Sequence, residues 1–343
     1  MKIQDDVFLL NVLLLPIQKS IYDINYWCFA IKSKSSLEIV LAEPRGFCAG
    51  VERAIEIVER ALERFGAPVY VRHEIVHNTH VVSALKKKGA IFVDEIKDVP
   101  LGARVIMSAH GVSIKVQDEA LNRSLEVFDA TCPLVTKVHA EVKKLSKQGF
   151  EIIMIGHSGH PEVEGTMGQL KSEIHLVEDA LQANLVKVNN PNKLSYVTQT
   201  TLSADDTAEI IKTLKKRFPT IVGPKVSDIC YATQNRQDAV KLMAKQVDLV
   251  LVVGSPTSSN SNRLREVAEK YGAKAYLIDG AEDLDPNWLS NTTSVGITAG
   301  ASAPESLVQK LLQAVKTLGA SSVRRLPGAQ EHIRFPLPKS LTK

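Results

Sequence analysis

The sequence predicts an α/β fold with mostly parallel strands, laid out as three similar α/β units that meet at one shared site. Three observations carry that expectation. Beyond residue 37, short β-rich runs alternate with helical patterns, as an α/β chain requires. Cys48, Cys132 and Cys230 each stand just ahead of a helical segment. Between those cysteines apolar runs arrive in pairs, and each ends in a loop bearing His, Ser, Thr, Asn or Gly.

The elements follow in order. Residues 7–17 (VFLLNVLLLPI) are strongly apolar, but they make up only about half of the roughly 20 residues that cross a bilayer. Asp5 and Asp6 precede this run where a signal peptide would be positive, and no small-residue cleavage site follows. Residues 1–36 are therefore expected to be an appendage outside the core, or an upstream extension ahead of a start at Leu37. Behind Cys48, Ala54, Ile55, Val58, Ala61, Leu62 and Phe65 recur at helical spacing, with Gly66 as the stop. Behind Cys132, Pro133 suits a first helical turn and Gly149 closes the run. Behind Cys230 comes ATQNRQDAVKLMAKQ.

Strands are expected within residues 68–78 and 103–111, then 150–165 and 193–203, then 249–260 and 293–302. The implied boundaries are 37–132, 133–229 and 230–317 for the three units, with 318–343 as a C-terminal tail. The units share layout but almost no sequence. In open parallel sheets ligands bind beyond the carboxyl ends of the strands, so six polar strand ends and three cysteines fit one common site.

Composition narrows the function. The 343 residues are 44% hydrophobic and 23% charged, ordinary for a soluble enzyme with a buried core. A formal charge of +4, without Lys/Arg blocks interleaved with aromatics, gives no footprint for nucleic acid. A membrane partner is not expected either. Four widely separated cysteines without a C-x-x-C pair argue against a disulfide framework and for a reducing cytoplasm.

A thiolate ahead of a helix feels the positive end of the macrodipole and exposed N–H groups, which lower its pKa. One such cysteine suggests a nucleophile; three at matching positions suggest a shared soft metal. Structural zinc takes four ligands at short spacings, whereas three distant cysteines can serve three corners of a cubane cluster and leave one iron open. Cys28, in WCFA without helix or strand-end context, is read as a small buried hydrophobe.

The segments PRGFCAGVERA, VRHEIVHN, SAHGVS, DATCPLVTKVH, IGHSGHPEVEGTMGQ, TQTTLS, DICYATQNRQ, GSPTSSNSNRL and TAGASAP resemble, in order, those of the 4-hydroxy-3-methylbut-2-enyl diphosphate reductase family. The resemblance covers about residues 37 to 340 and leaves 1–36 without a counterpart. It implies a pseudo-threefold trefoil of α/β units around one [4Fe–4S] cluster per chain, held by Cys48, Cys132 and Cys230. It also implies reductive loss of a hydroxyl from a small allylic diphosphate, giving isopentenyl and dimethylallyl diphosphates. Electrons would come from a carrier such as flavodoxin or ferredoxin.

Such a reaction needs a proton source and an anion clamp. Glu162, in GHPEVEG beyond a strand end, is the expected acid, with Thr200 completing the relay; Glu164 is assigned to structure or solvent. His77, His110 and His160 lie beyond strands and suit phosphate oxygens. Ser258, Ser259 and Asn260 precede a helical segment whose N–H groups favour an anion, and Ser302 sits at the last strand end. His73, His139, His157, His175 and His332 are read as structural. No G-x-x-x-x-G-K-[ST] or G-x-G-x-x-G pattern supports a nucleotide. Three other readings stay open: an open-iron dehydratase that needs no reductant, an Fe–S redox sensor, and a zinc-stabilised phosphate-binding protein. A reductant requirement and a sulfide assay separate them.

Overall fold

Parallel strands need a crossover between each pair, and α-helices supply most of them, with only short 3-10 turns between 93 and 104 and between 278 and 294. The computed structural model describes residues 37–342; the run 7–17, Cys28 and Lys343 lie outside the described residues. The chain opens with β1 (Leu37–Leu41) and α1 (Ala49–Phe65). Next come β2 (Val69–Arg72), α2 (Thr79–Lys87), β3 (Ala90–Val93), β4 (Arg104–Met107), α3 (Ile114–Asn122) and β5 (Glu126–Asp129). Then α4 (Pro133–Lys147) leads to β6 (Glu151–Ile155), α5 (Pro161–Met167), β7 (His175–Val177), α6 (Ala180–Leu185), β8 (Leu194–Thr198) and α7 (Ala204–Arg217). Last are α8 (Tyr231–Ala244), β9 (Leu249–Val253), α9 (Ser259–Lys270), β10 (Lys274–Ile278), β11 (Ser294–Ala299), α10 (Glu305–Thr317) and β12 (Ala320–Arg325).

The twelve strands form three parallel sheets, ordered β3-β2-β4-β5, β7-β6-β8 and β10-β9-β11-β1-β12. Each is covered on both faces, which is why the central runs are apolar throughout instead of alternating. In β9, Leu249, Leu251 and Val253 pack with Leu307 and Leu311 of α10. Val250 and Val252 pack on the other face with Val240 of α8 and Leu264 of α9. Burying each such side chain is worth roughly 1.5–3 kcal/mol.

Two features differ from the sequence expectation. First, β1 does not belong with the unit 37–132. It lies between β11 and β12, Glu38 opposite Ser294 on one side and Ser322 on the other. The phasing assigned strands only behind each cysteine, and β1 precedes the first. Second, residues 318–343 are not a loose tail. They supply β12, and Leu341 is buried in the core of the first sheet beside Ala54 and Phe128. The other strands not expected, β3, β5, β7 and β10, are all sheet edges. Edge strands bury few side chains: β5 buries one residue of four and β12 none. Their apolar signal is correspondingly weak.

With β1 so placed, each cysteine stands on the passage out of one sheet and into the next helix. Cys132 follows β5. Cys230 follows Val222, which makes a parallel bridge to Ser195 beside β8. Cys48 follows β1.

Candidate active site

The loops at the carboxyl ends of the strands match in register. The residue after β2, β6 and β9 donates its N–H to the last residue of the neighbouring strand: His73 to Val93, Gly156 to Val177 and Gly254 to Ile278, at 2.8, 3.1 and 2.9 Å. Four residues further on stand His77, His160 and Ser258. Three residues past β4, β8 and β11 stand His110, Thr201 and Ser302. Their predecessors Ala109, Thr200 and Ala301 accept the backbone N–H of Cys132, Cys230 and Cys48 at 3.0, 3.0 and 3.3 Å. The same backbone bond thus seats each cysteine against a strand-end loop.

All three cysteines occupy helix N-caps. Cys230 Sγ accepts from the Thr233 N–H at 3.3 Å and meets Thr233 Oγ1 at 3.1 Å. Backbone N–H groups of Gly50 and Val51 favour the thiolate of Cys48, and those of Leu134 and Val135 that of Cys132, although neither side chain closes a capping hydrogen bond. A Cβ placed on Gly50 would lie 2.7 Å from Cys132 Sγ and 3.9 Å from Cys48 Sγ. Glycine there keeps the space between the two sulfurs clear. The lowered thiol pKa expected from the helix ends is not what the site gives. Burial outweighs the N–H groups, raising Cys48, Cys132 to about 12 and Cys230 to about 11. Thiolates at this depth call for a cation.

One cavity of about 100 Å³ is lined by all three cysteines, Glu162, Thr200, the three histidines and the Ser/Asn set. The structure therefore brings together every site residue singled out above. Among the described residues, no three His, Cys, Asp or Glu side chains close on a single ion. The sulfurs surround a space instead of a point, unlike zinc ligands drawn to about 2.3 Å. Soft donors around a wider space fit an iron–sulfur cluster.

Glu162 is buried in the first turn of α5, while Glu164 faces solvent. Its Oε1 accepts the Thr200 N–H at 2.6 Å and its Oε2 the Thr200 hydroxyl at 2.9 Å. Burial raises the carboxyl to about 7 despite these bonds, and Asp228 adds to the rise. Among the described residues it is the one carboxyl lining the cavity.

The three imidazoles form one cluster, with ring centroids 4.2 Å apart for His77–His110, 5.7 Å for His77–His160 and 5.9 Å for His110–His160. Burial, then the neighbouring imidazoles, hold His110 well below its usual pKa and His160 at about 3. His160 Nδ1 accepts from the Glu162 N–H at 3.1 Å, which puts the proton of the neutral ring on Nε2. His77 Nδ1 lies 2.9 Å from Glu74, and its Nε2 is buried without a partner. Asn260 is buried with both amide atoms unpartnered. Buried polar atoms normally find a partner, so these await one from a ligand. Ser302 Oγ donates to His77 O at 2.9 Å, and Ser258 caps α9 by accepting the Ser261 N–H.

Two polar lining residues went unmarked in the sequence. Thr201 donates to Ser259 Oγ at 3.1 Å and shares its strand-end position with His110 and Ser302. Thr233 holds Cys230; the C-x-x-T spacing of a capping pair was its signal. Of the histidines read as structural, His139 is buried behind Gly111 and His175 meets Glu151 at 2.6 Å.

A model of the LytB protein family matches residues 39–316. The chain is 63% identical over 304 residues to the 4-hydroxy-3-methylbut-2-enyl diphosphate reductase of Methylibium petroleiphilum, covering 89% of this chain and 92% of that protein. It is 64% identical to the protein of the same name from Ralstonia nicotianae, covering 89% and 94%. Among solved structures, the E-1-hydroxy-2-methyl-but-2-enyl-4-diphosphate reductase of Plasmodium falciparum is similar at TM-score 0.86 and 40% identity, covering 90% of this chain and 97% of that one. An (E)-4-hydroxy-3-methyl-but-2-enyl diphosphate reductase, the terminal enzyme of the non-mevalonate pathway, is similar at TM-score 0.58 and 30% identity, covering 82% and 99%.

Proposed function

The chain belongs to the LytB protein family, and on that premise we propose that it reduces 4-hydroxy-3-methylbut-2-enyl diphosphate to isopentenyl and dimethylallyl diphosphates. The observation that carries the reading is a single cavity in which three half-buried thiols face a buried, proton-holding Glu162 and a histidine–serine–asparagine pocket. Three α/β units related by a pseudo-threefold trefoil, each contributing one cysteine passage and two strand-end loops, account for that convergence. Cys48, Cys132 and Cys230 would hold one [4Fe–4S] cluster, which when bound supplies electrons and an iron without a cysteine ligand.

The residues divide the remaining work. Loss of one hydroxyl as water consumes two electrons and two protons. Glu162, half-protonated near pH 7, holds a proton where the hydroxyl must leave, and an acid of that pKa is well matched to neutral conditions. Thr200 steers it through two hydrogen bonds and links the carboxyl to the substrate oxygen. His77, His110, His160, Ser258, Ser259, Asn260 and Ser302 bind the diphosphate. The neutral imidazoles of His110 and His160 donate hydrogen bonds there, and an arriving anion favours their protonation. Val51, Val76, Leu134 and Val135 line the same cavity, cover the hydrocarbon chain and exclude water from the reacting carbon. Binding energy from the distant diphosphate fixes that carbon in place.

Electrons would arrive from a small carrier such as flavodoxin or ferredoxin, in the cytoplasm. No helix of the described residues is long and apolar enough to cross a membrane. The deciding experiment is anaerobic purification with iron and acid-labile sulfide assay, then incubation with the allylic diphosphate and a chemical reductant. The expected result is both diphosphate products, formed only with reductant. Turnover without reductant would point to a dehydratase, and absence of sulfide would remove the cluster.

A further inference from the structure

Each of the three helices behind a cysteine carries a long cation at nearly the same depth. Arg53 lies five residues past Cys48, Lys137 five past Cys132, and Arg236 six past Cys230. Each reaches the backbone in front of another of the three cysteines. Arg53 donates to Thr131 O at 3.1 Å and Asp129 O at 3.5 Å, ahead of Cys132. Lys137 donates to Val226 O at 3.0 Å, Ser227 O at 3.3 Å and the Asp228 carboxylate at 3.2 Å, ahead of Cys230. Arg236 donates to Gly46 O at 2.7 and 3.0 Å and Phe47 O at 3.1 Å, ahead of Cys48. The third contact returns to where the first began.

We propose that Arg53, Lys137 and Arg236 form a closed ring of cationic staples, each fixing one cysteine relative to the next, so that they are positioning residues for the three sulfurs. The proposal rests on the reading of the thiols as a cluster site. Helix packing alone leaves the approach of each cysteine loop to its neighbour unset, because the loop crosses between sheets. Carbonyls on such a passage have no strand partner and need donors. A charged donor with several N–H groups ties two or three of them at once, and charge-assisted bonds are the stronger kind. The C-terminal segment braces two staples: Glu331 accepts from Arg236 at 3.0 Å and Pro336 O from Arg53 at 2.8 Å. Arg236 is buried, while the Lys137 side chain is 39% exposed.

Replacing Arg236 takes the cationic partner from Glu331 and risks the fold, so the test uses Arg53→Met and Lys137→Met, with Arg53→Lys and Lys137→Arg as conservative partners. The full chain is loaded anaerobically, and bleaching of the cluster is timed under fixed chelator and oxygen. The Met variants should bleach about fivefold faster or more, and the conservative ones stay within about twofold of the parent, as loss of a partly exposed charged bond implies. On the iron-free chain, a short bifunctional thiol reagent reports which cysteine pairs remain in reach. Arg53→Met should slow bridging of Cys48 to Cys132 selectively, and Lys137→Met that of Cys132 to Cys230. Unchanged bleaching, or bridging slowed equally for all pairs in step with a lower melting midpoint, overturns the ring. If the parent takes up no iron and sulfide, the cluster reading fails, and pair-selective bridging still decides the ring on its own.

Discussion

Replacing Glu162 by Gln removes one proton and little else. The amide oxygen can accept the Thr200 N–H now bound at 2.6 Å, and the amide N–H₂ can face the Thr200 hydroxyl at 2.9 Å. The fold and the cysteine site should survive. Holding the carboxyl at about 7 against the usual 4.5 means the cavity disfavours its charged form by about 3 kcal/mol. Between those two values the folded chain keeps a proton that the unfolded chain has lost. The carboxyl's contribution is intact below about 4.5 and is lost as pH rises through about 7. The Gln variant has no such loss, so the iron-free variant should melt higher than the parent at pH 8, with the gap narrowing toward pH 5. Turnover with chemical reductant should fall by about 10²- to 10⁴-fold, the usual worth of a positioned acid, at unchanged iron and sulfide content. The parent's own rate should decline as pH rises past 7, where the acid form empties. Activity within tenfold of the parent, or a melting gap that does not depend on pH, would remove Glu162 from this role.

Other outcomes follow from the same cavity. Cys48→Ser, Cys132→Ser and Cys230→Ser should each lose the bound iron and sulfide, while Cys28→Ser should retain them; metal and sulfide analysis decides, and loss with Cys28→Ser would end the open-iron reading. Asn260→Ala gives up no hydrogen bond to another residue. Its melting midpoint should stay near the parent's while KM rises about tenfold or more, the worth of a hydrogen bond to a charged group; an unaltered KM would take Asn260 out of the clamp. Gly50→Ala would set a Cβ 2.7 Å from Cys132 Sγ, and the variant should fold but assemble substoichiometric iron. Full iron content would show that the space between the sulfurs is not needed.

How much the sequence disclosed depends on how far each signal travels along the chain. Cysteines ahead of helices are local, and so are polar loops behind apolar runs; their phasing pointed to one shared site, the family resemblance picked out Glu162 and Thr200, and all twelve candidate residues line one cavity. Strands with both faces covered were readable for the same reason, as in the run Leu249–Val253. Edge strands such as Glu126–Asp129 were not, because half-solvated side chains leave a mixed pattern. The sheet to which β1 belongs was hidden altogether, since its partners lie more than 250 residues away. The thiol pKa values went the other way from the helix-end argument because burial depth is a tertiary property. Nothing local sets Arg53, Lys137 and Arg236 apart from other helix cations; only the carbonyls they meet distinguish them.

The position of β1 also sets an order of events during synthesis. Residues 37–41 leave the ribosome among the first of the described chain, yet both neighbouring strands, 294–299 and 320–325, are made near the end. An apolar segment must therefore wait, unpaired, until nearly the whole polypeptide has emerged, and the costliest loop closure comes last. A rearranged gene that begins at Ala49 and appends residues 37–48 after the final strand would remove that delay. It would also leave Cys48 as the last of the three cysteines to be delivered, at the very end of translation.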